Sequence, residues 1–166
     1  MKKETDPKTA VDRMRYTKNK FSSNMAILAI LFNVFYFVNI YRSDVSNYYY
    51  NILIGGSIVF NLLYLLAAFL CSEEVKQYNE RYCWVLLVLG IIQFIRIFII
   101  PARAHSAYVV IANVERQVMY DKQFFTCIFY LVVSGVCAVL GALKGIKLSR
   151  TLKAYEATLG EEKRRD

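Results

Sequence analysis

Four apolar stretches, at residues 21–41, 48–71, 83–100 and 124–146, occupy most of a 166-residue chain and are separated by short charged connections. Each reaches or closely approaches the roughly 20 residues a helix needs to cross a hydrocarbon core of about 30 Å. The pattern predicts an all-α fold: an integral membrane four-helix bundle, antiparallel, with little chain left for a soluble catalytic domain. It divides the chain into a basic N-terminal segment (residues 1–20), a span domain (21–146) and an amphipathic C-terminal segment (147–166).

The formal charge of +8 comes from 21 Lys and Arg against 13 Asp and Glu. Its placement says more than its size. Seven basic residues precede Phe21 and seven more lie from Lys144 onward, whereas the first connection holds only Arg42 and the third only Arg103, Arg116 and Lys122. Lys and Arg beside span ends bias them toward the cytoplasm. Four spans return both termini to one side, and both are basic, so the expected location is a cell membrane, multi-pass, with N and C termini cytoplasmic. The charge is then explained by topology and by attraction to anionic lipid, and the expected partners exclude nucleic acid. The basic start followed by an apolar run resembles a secretory signal. The run is too long and lacks a small-residue cleavage site, so it reads as an uncleaved first span.

Asp6-Pro7 is a helix start, since Asp caps free N–H groups and Pro tolerates the first helical position. Nothing in the sequence interrupts the helical pattern from there to Arg42, which predicts a first helix projecting about 20 Å beyond the membrane. At the other end Leu148, Leu152, Tyr155 and Leu159 recur at helical spacing, with Gly160 as the expected stop. These four are candidate partner contacts. Ala10, Val11 and Met14 form a small apolar face that either packs there or lies, like the C-terminal segment, on the lipid surface. Tyr41, Tyr48, Tyr49 and Tyr50 fall where a headgroup-level aromatic belt belongs. Pro101 ends the third helix, and residues 101–123 form the longest connection, with 108–112 suited to an interfacial or re-entrant turn.

Arg96 is the most informative single position. An ionisable residue inside a span is costly and marks a site by default. It lies one turn from the end of its apolar run, where snorkelling toward the headgroups is the simplest reading; an interhelical site is the other. Phe35 and Tyr36 could offer ring faces to the cation. Gln93, Asn33 and Asn61 complete the candidate in-membrane polar site. Asn39, Asn51, Ser57, Thr126 and Ser134 read as interhelical glue, and Gly55-Gly56-Ser57, Gly135 and Gly141 as close-packing positions.

The absences are also informative. No Asp or Glu lies inside a span, which disfavours a proton-coupled exchanger that uses a membrane carboxylate. His105 has no neighbouring Cys or carboxylate cluster in the sequence, so no metal is expected. The four cysteines lack a C-x-x-C pair, and no cofactor cradle appears. Arg103-Ala104-His105 is similar to an Arg-Ala-His element of the MAPEG glutathione-handling enzymes. Here it follows the third span instead of lying near the second, and Asn113 and Glu115 do not restore that family's spacing.

A broader likeness runs along most of the chain. The blocks Asp6-Pro7-Lys8-Thr9-Ala10-Val11, Met14-Arg15-Tyr16-Thr17-Lys18, the stretch at 48–55 and Phe94-Ile95-Arg96-Ile97-Phe98-Ile99-Ile100-Pro101 resemble a group of small four-span proteins of Gram-positive anaerobes. Genes of that group tend to sit beside simple-sugar ABC importers, so the resemblance implies an accessory membrane subunit and carries over no catalytic residue. The expected function is a non-enzymatic accessory or scaffold subunit of a larger membrane complex, in contact with lipid and with another membrane protein. The alternative is a small transporter or channel acting as a homo-oligomer, with Asn33, Asn61, Gln93 and Arg96 lining its pore. A membrane-embedded enzyme of lipid or thiol chemistry ranks third.

Overall fold

A computed structural model describes residues 7–41, 48–111 and 114–165. In chain order these form α1 (Pro7–Met14), α2 (Lys20–Ile40), α3 (Tyr48–Lys76), α4 (Glu80–Ile99), α5 (Pro101–His105), β1 (Tyr108–Ile111), β2 (Val114–Gln117) and α6 (Asp121–Arg165). The stretches Lys20–Ile40, Gly55–Lys76, Glu80–His105 and Asp121–Gly160 are long and apolar enough to cross a membrane, which makes this a multi-pass membrane protein. Asp6, Arg42 and the side chains of residues 48–54, including the three tyrosines of the expected belt and Asn51, lie outside the described residues.

The helix expected to run unbroken from Pro7 is two helices. α1 stops at Met14, and Asn19 starts α2 anew: its side chain accepts from the Ser22 N–H at 3.2 Å and donates to the Ser22 hydroxyl at 3.0 Å. The Asn19 N–H meanwhile donates to the Lys76 carbonyl at 2.9 Å, which ties the start of α2 to the end of α3. A side chain that satisfies an orphan N–H lowers the cost of a new helix start. α1 folds against α6, the packing arrangement for the two tails. We call this the tail end of the molecule.

At the opposite, hairpin end, the Gln123 amide donates to the Asn39 carbonyl at 2.8 Å and the Asn39 amide to Cys127 Sγ at 3.4 Å. Pro101 stands at the first position of α5, separated from α4 by the single residue Ile100. In place of a re-entrant turn, β1 and β2 pair antiparallel, with Tyr108 opposite Gln117 and Ile111 opposite Val114. Tyr108-Val109-Val110-Ile111 is a β-branched and aromatic run that favours strand over helix. Among the described residues the fold is thus helical apart from this hairpin, and residues 112–113 lie outside them.

α2 packs on α3 and α6, and α4 packs on α6 and more sparsely on α3. The seam between α4 and α6 is a close approach of two backbones. A Cβ on Gly90 would lie 3.2 Å from the Gly135 carbonyl, and one on Gly135 would lie 3.1 Å from the Gly90 carbonyl. The two backbones therefore touch, as small residues permit within a membrane. Gly141 and Gly145 repeat the device, with a Cβ on Gly141 reaching to 2.9 Å from Met25 Cβ and one on Gly145 to 2.7 Å from Cys83 Sγ. Gly55 and Gly56 do not: a Cβ on either would meet nothing within 4 Å.

Two apolar clusters fill the interior. One, toward the tails, gathers Ala26, Ala29, Cys71, Val75, Leu86, Ala138 and Ala142. The other, toward the hairpin, gathers Tyr36, Ile40, Ala104, Met119, Cys127 and Leu131. Large apolar side chains such as Leu62, Leu66, Phe69, Val88, Ile95 and Leu140 face outward. Lipid tails are as apolar as leucine, so the interior gains from small and polar contacts and not from hydrophobicity itself.

α6 is 45 residues long, or about 68 Å at 1.5 Å per residue. It passes straight through Gly160, whose surroundings are open. A single glycine costs a helix about 1 kcal/mol, too little to end one by itself. Beyond the membrane, Glu80 receives Arg150 Nε at 2.9 Å and Lys153 Nζ at 2.8 Å, clamping the extension of α6 to the start of α4.

The turn between α3 and α4 holds Tyr78 at φ 59°. This left-handed conformation costs a non-glycine residue about 1–2 kcal/mol. Tyr78→Gly is accordingly expected to raise stability by about 1 kcal/mol, read as a higher thermal midpoint in detergent; a lower midpoint would mean that the half-buried ring contributes more than the strain.

Candidate functional site

Each of three core helices carries a polar side chain on the stripe it turns inward. On α2 the buried positions run Ser22, Ala26, Ala29, Asn33, Tyr36, Ile40. On α4 they run Cys83, Leu86, Gly90, Gln93, Arg96. On α3, Ser57, Asn61, Tyr64 and Ala68 follow the same alternation of three and four residues. Residues so spaced share one helix face, so Asn33, Asn61 and Gln93 meet at one level, between the two apolar clusters. Ser134 of α6 joins them. All four are wholly buried.

Arg96 enters this group from above. Its exposure is only 5%, and it does not reach out to the headgroups. Nη1 donates to Asn33 Oδ1 at 3.0 Å and to Gln93 Oε1 at 2.8 Å, while Nη2 donates to Asn61 Oδ1 at 2.6 Å. The snorkelling reading is thereby replaced by the interhelical one, for a geometric reason. Helical side chains lean toward their own N-terminus, and the N-terminus of α4 lies at the tail end. Arg96 therefore leans back toward Gln93 and the bilayer interior, where three carbonyl oxygens are waiting.

The rest of the network closes around those bonds. Gln93 Nε2 donates to Asn33 Oδ1 at 2.9 Å and to Ser134 Oγ at 3.1 Å, and Ser134 Oγ donates to the Ala29 carbonyl at 2.8 Å. Asn33 Nδ2 lies 3.4 Å from Asn61 Oδ1, and Asn61 Nδ2 donates to Ser57 Oγ at 3.3 Å. The Tyr64 hydroxyl sits 3.4 Å from Ser134 Oγ. Two rings also lie against the guanidinium, with the Tyr36 ring centre 4.9 Å and the Phe60 ring centre 4.8 Å from its central carbon. Phe35, the other ring considered, turns outward to Phe32 and Tyr130.

Every acceptor on this cation is neutral, and no ion pair among the described residues involves it. Its charge is solvated by amide dipoles and ring faces in a medium of low dielectric, where hydrogen bonds to an ionised group are strong and leaving one unmade is costly. The arrangement supplies fixed positive charge and a four-helix brace.

The remaining candidates separate from it. Leu148, Tyr155 and Leu159 are half-buried and Leu152 buried, on the part of α6 that extends past the apolar stretch. They share no contact with Arg96. His105 has a partner the sequence did not indicate: its Nε2 lies 2.8 Å from Asp121 Oδ1, with the ring stacked 4.3 Å from that of Phe124. This pair joins α5 to α6, and no group of metal-binding side chains occurs among the described residues. Cys71, Cys83, Cys127 and Cys137 are buried free thiols.

Tyr64 and Phe60 belong to the network and are not among the polar candidates of the sequence, whereas Ser57 and Ser134, expected as interhelical glue, bond within it. The signal for Tyr64 was present, three residues after Asn61 on one face. Nothing in the sequence marked Phe60, which reaches the cation from the side of α3 next to α4. No known protein family matches this chain, and neither does any characterised protein or solved structure.

Proposed function

We propose that this protein is a non-enzymatic accessory or scaffold subunit, four antiparallel spans in a bundle with both termini cytoplasmic, that docks on a larger membrane complex of the solute-importer class. The observation that carries this reading is the length of α6. About 19 of its residues follow Ile146, a rod of roughly 28 Å held upright by Glu80 and flanked by α1. A rigid basic projection of this kind is suited to meeting another protein beyond the headgroups. The interior supports the same reading, because Asn33, Asn61, Gln93 and Arg96 direct their hydrogen bonds to one another inside one bundle.

The test is affinity capture from native membranes in mild detergent, comparing the full chain with one ending at Lys147. Stoichiometric recovery of permease subunits with the full chain, and their loss on truncation while the spans remain folded, is the expected result. Recovery of a bare homo-oligomer that passes solutes in liposomes, with flux altered by Arg96→Ala, would instead establish the transporter alternative.

A further inference from the structure

A polar groove of about 420 Å³ lies at the hairpin end between α2 and α6. Asn39 forms its α2 side, and Tyr120, Lys122, Gln123, Thr126 and Tyr130 form the other. That volume falls within the usual range for ligand pockets, about 300–1,000 Å³. Every lining side chain carries a polar group, which sets the groove apart from the lipid-facing surface of the spans.

The chemistry of the lining favours an anion. Lys122 holds the one formal charge in the wall, and it is exposed and in no ion pair among the described residues. The neighbouring carboxylate, Asp121, is turned to His105 of α5 at 2.8 Å. The Asn39 amide and the Tyr120 and Tyr130 hydroxyls add donors to the wall, whereas the Thr126 hydroxyl is spent on the Lys122 carbonyl at 2.7 Å.

Depth indicates where that anion comes from. Lys122 stands two residues before the apolar stretch of α6 begins at Phe124, and Asn39 one residue before α2 ends at Ile40. Both therefore sit at the level of the headgroups, where a Lys attracts anionic lipid. Beside them the wall turns apolar. The Tyr130 ring lies 5.7 Å from that of Phe35 and 5.9 Å from that of Phe129, and both phenylalanines face outward. A phosphate beside Lys122 thus has a ring surface next to it on which its own acyl chain can lie.

We propose that the groove between α2 and α6 binds the headgroup of an anionic phospholipid, with its phosphate beside Lys122 and an acyl chain laid over Phe35 and Phe129. The inference does not rest on the accessory role, since it concerns one protomer and its bilayer.

The experiment places the full chain in vesicles of equal phosphatidylglycerol and phosphatidylcholine content. One lipid or the other carries a diazirine at the head of its acyl chain, and light-induced adducts are mapped by peptide mass spectrometry. Phosphatidylglycerol adducts on residues 35–39 and 122–130 are expected to exceed phosphatidylcholine adducts by roughly five-fold, the preference that one Lys near the surface confers. Lys122→Gln should bring that ratio to about one, and Lys122→Arg should keep it. Thr126→Trp fills the groove at a position whose hydroxyl bonds within its own helix. It should remove the adducts of both lipids there and leave those elsewhere on the spans. Equal labelling of the wild type by the two lipids, or an unchanged ratio in Lys122→Gln, would overturn the assignment. So would loss of the adducts on adding soluble glycerol phosphate, which would make the groove a site for a dissolved anion.

Discussion

Asn33→Ala is expected to destabilise this protein more than Arg96→Met, although the arginine looks the more important residue. Removing Asn33 takes one acceptor from Arg96, one from Gln93 and the donor to Asn61. The guanidinium stays buried with its charge less well solvated, and a buried charged group left short of a partner costs more than the roughly 1–3 kcal/mol of a neutral one. Arg96→Met removes the charge together with its desolvation penalty. Asn33 Oδ1 keeps the Gln93 donor and Asn61 Oδ1 keeps the Asn33 donor, so only Gln93 Oε1 loses its sole hydrogen bond. One orphaned carbonyl costs about 1–3 kcal/mol. Unfolding in mixed micelles by a denaturing detergent would rank the two variants. The reverse order would mean that the cation holds the amides in place, and not the amides the cation.

Gly135→Val should be the most damaging change outside that cluster. Its Cβ would come within 2.9 Å of Phe94 Cζ and 3.1 Å of the Gly90 carbonyl, and two further carbons would follow. The Phe94 ring can turn aside, but the Gly90 backbone cannot retreat without moving α4 off α6. Overpacking of a close-packed seam costs about 1–3 kcal/mol, and the upper end is expected here because the obstruction is backbone. Gly55→Ala is the matched control: its new methyl meets open space and reduces the entropy of the unfolded chain, so it should be neutral or stabilising by up to about 1 kcal/mol. The same detergent unfolding curve reads both. A loss for Gly55→Ala equal to that for Gly135→Val would show that backbone contact at the α4–α6 seam does not set the outcome.

Both results bear on what holds such a protein together. Its outer surface is leucine, valine, isoleucine and phenylalanine, and its inside is rich in alanine, serine, cysteine and amide side chains beside a few large ones such as Tyr36, Leu86 and Leu131. A water-soluble bundle reverses that order. In lipid, helices gain by approaching closely and by pairing polar groups that the bilayer cannot satisfy.

The four spans, the helical class and the identity of the polar candidates follow from the sequence itself, because membrane insertion depends on local properties: twenty apolar residues satisfy their own backbone wherever they fall. The inward stripes of α2, α3 and α4 were equally legible as positions three and four apart. Asn33, Asn61 and Gln93 could be singled out before their neighbours were known. What the neighbours would be was decided only by the packing of helices on one another. The sequence marks Arg96 as unusual, but whether it turns toward the headgroups or the interior depends on the lean of its side chain along α4 and on the carbonyls of Asn33 and Asn61 from elsewhere in the chain. The Asp121 partner of His105 and the empty space beside Gly56 arise in the same way. Each is a contact, or the lack of one, between residues far apart in sequence, and periodicity along one helix carries no information about the face of another.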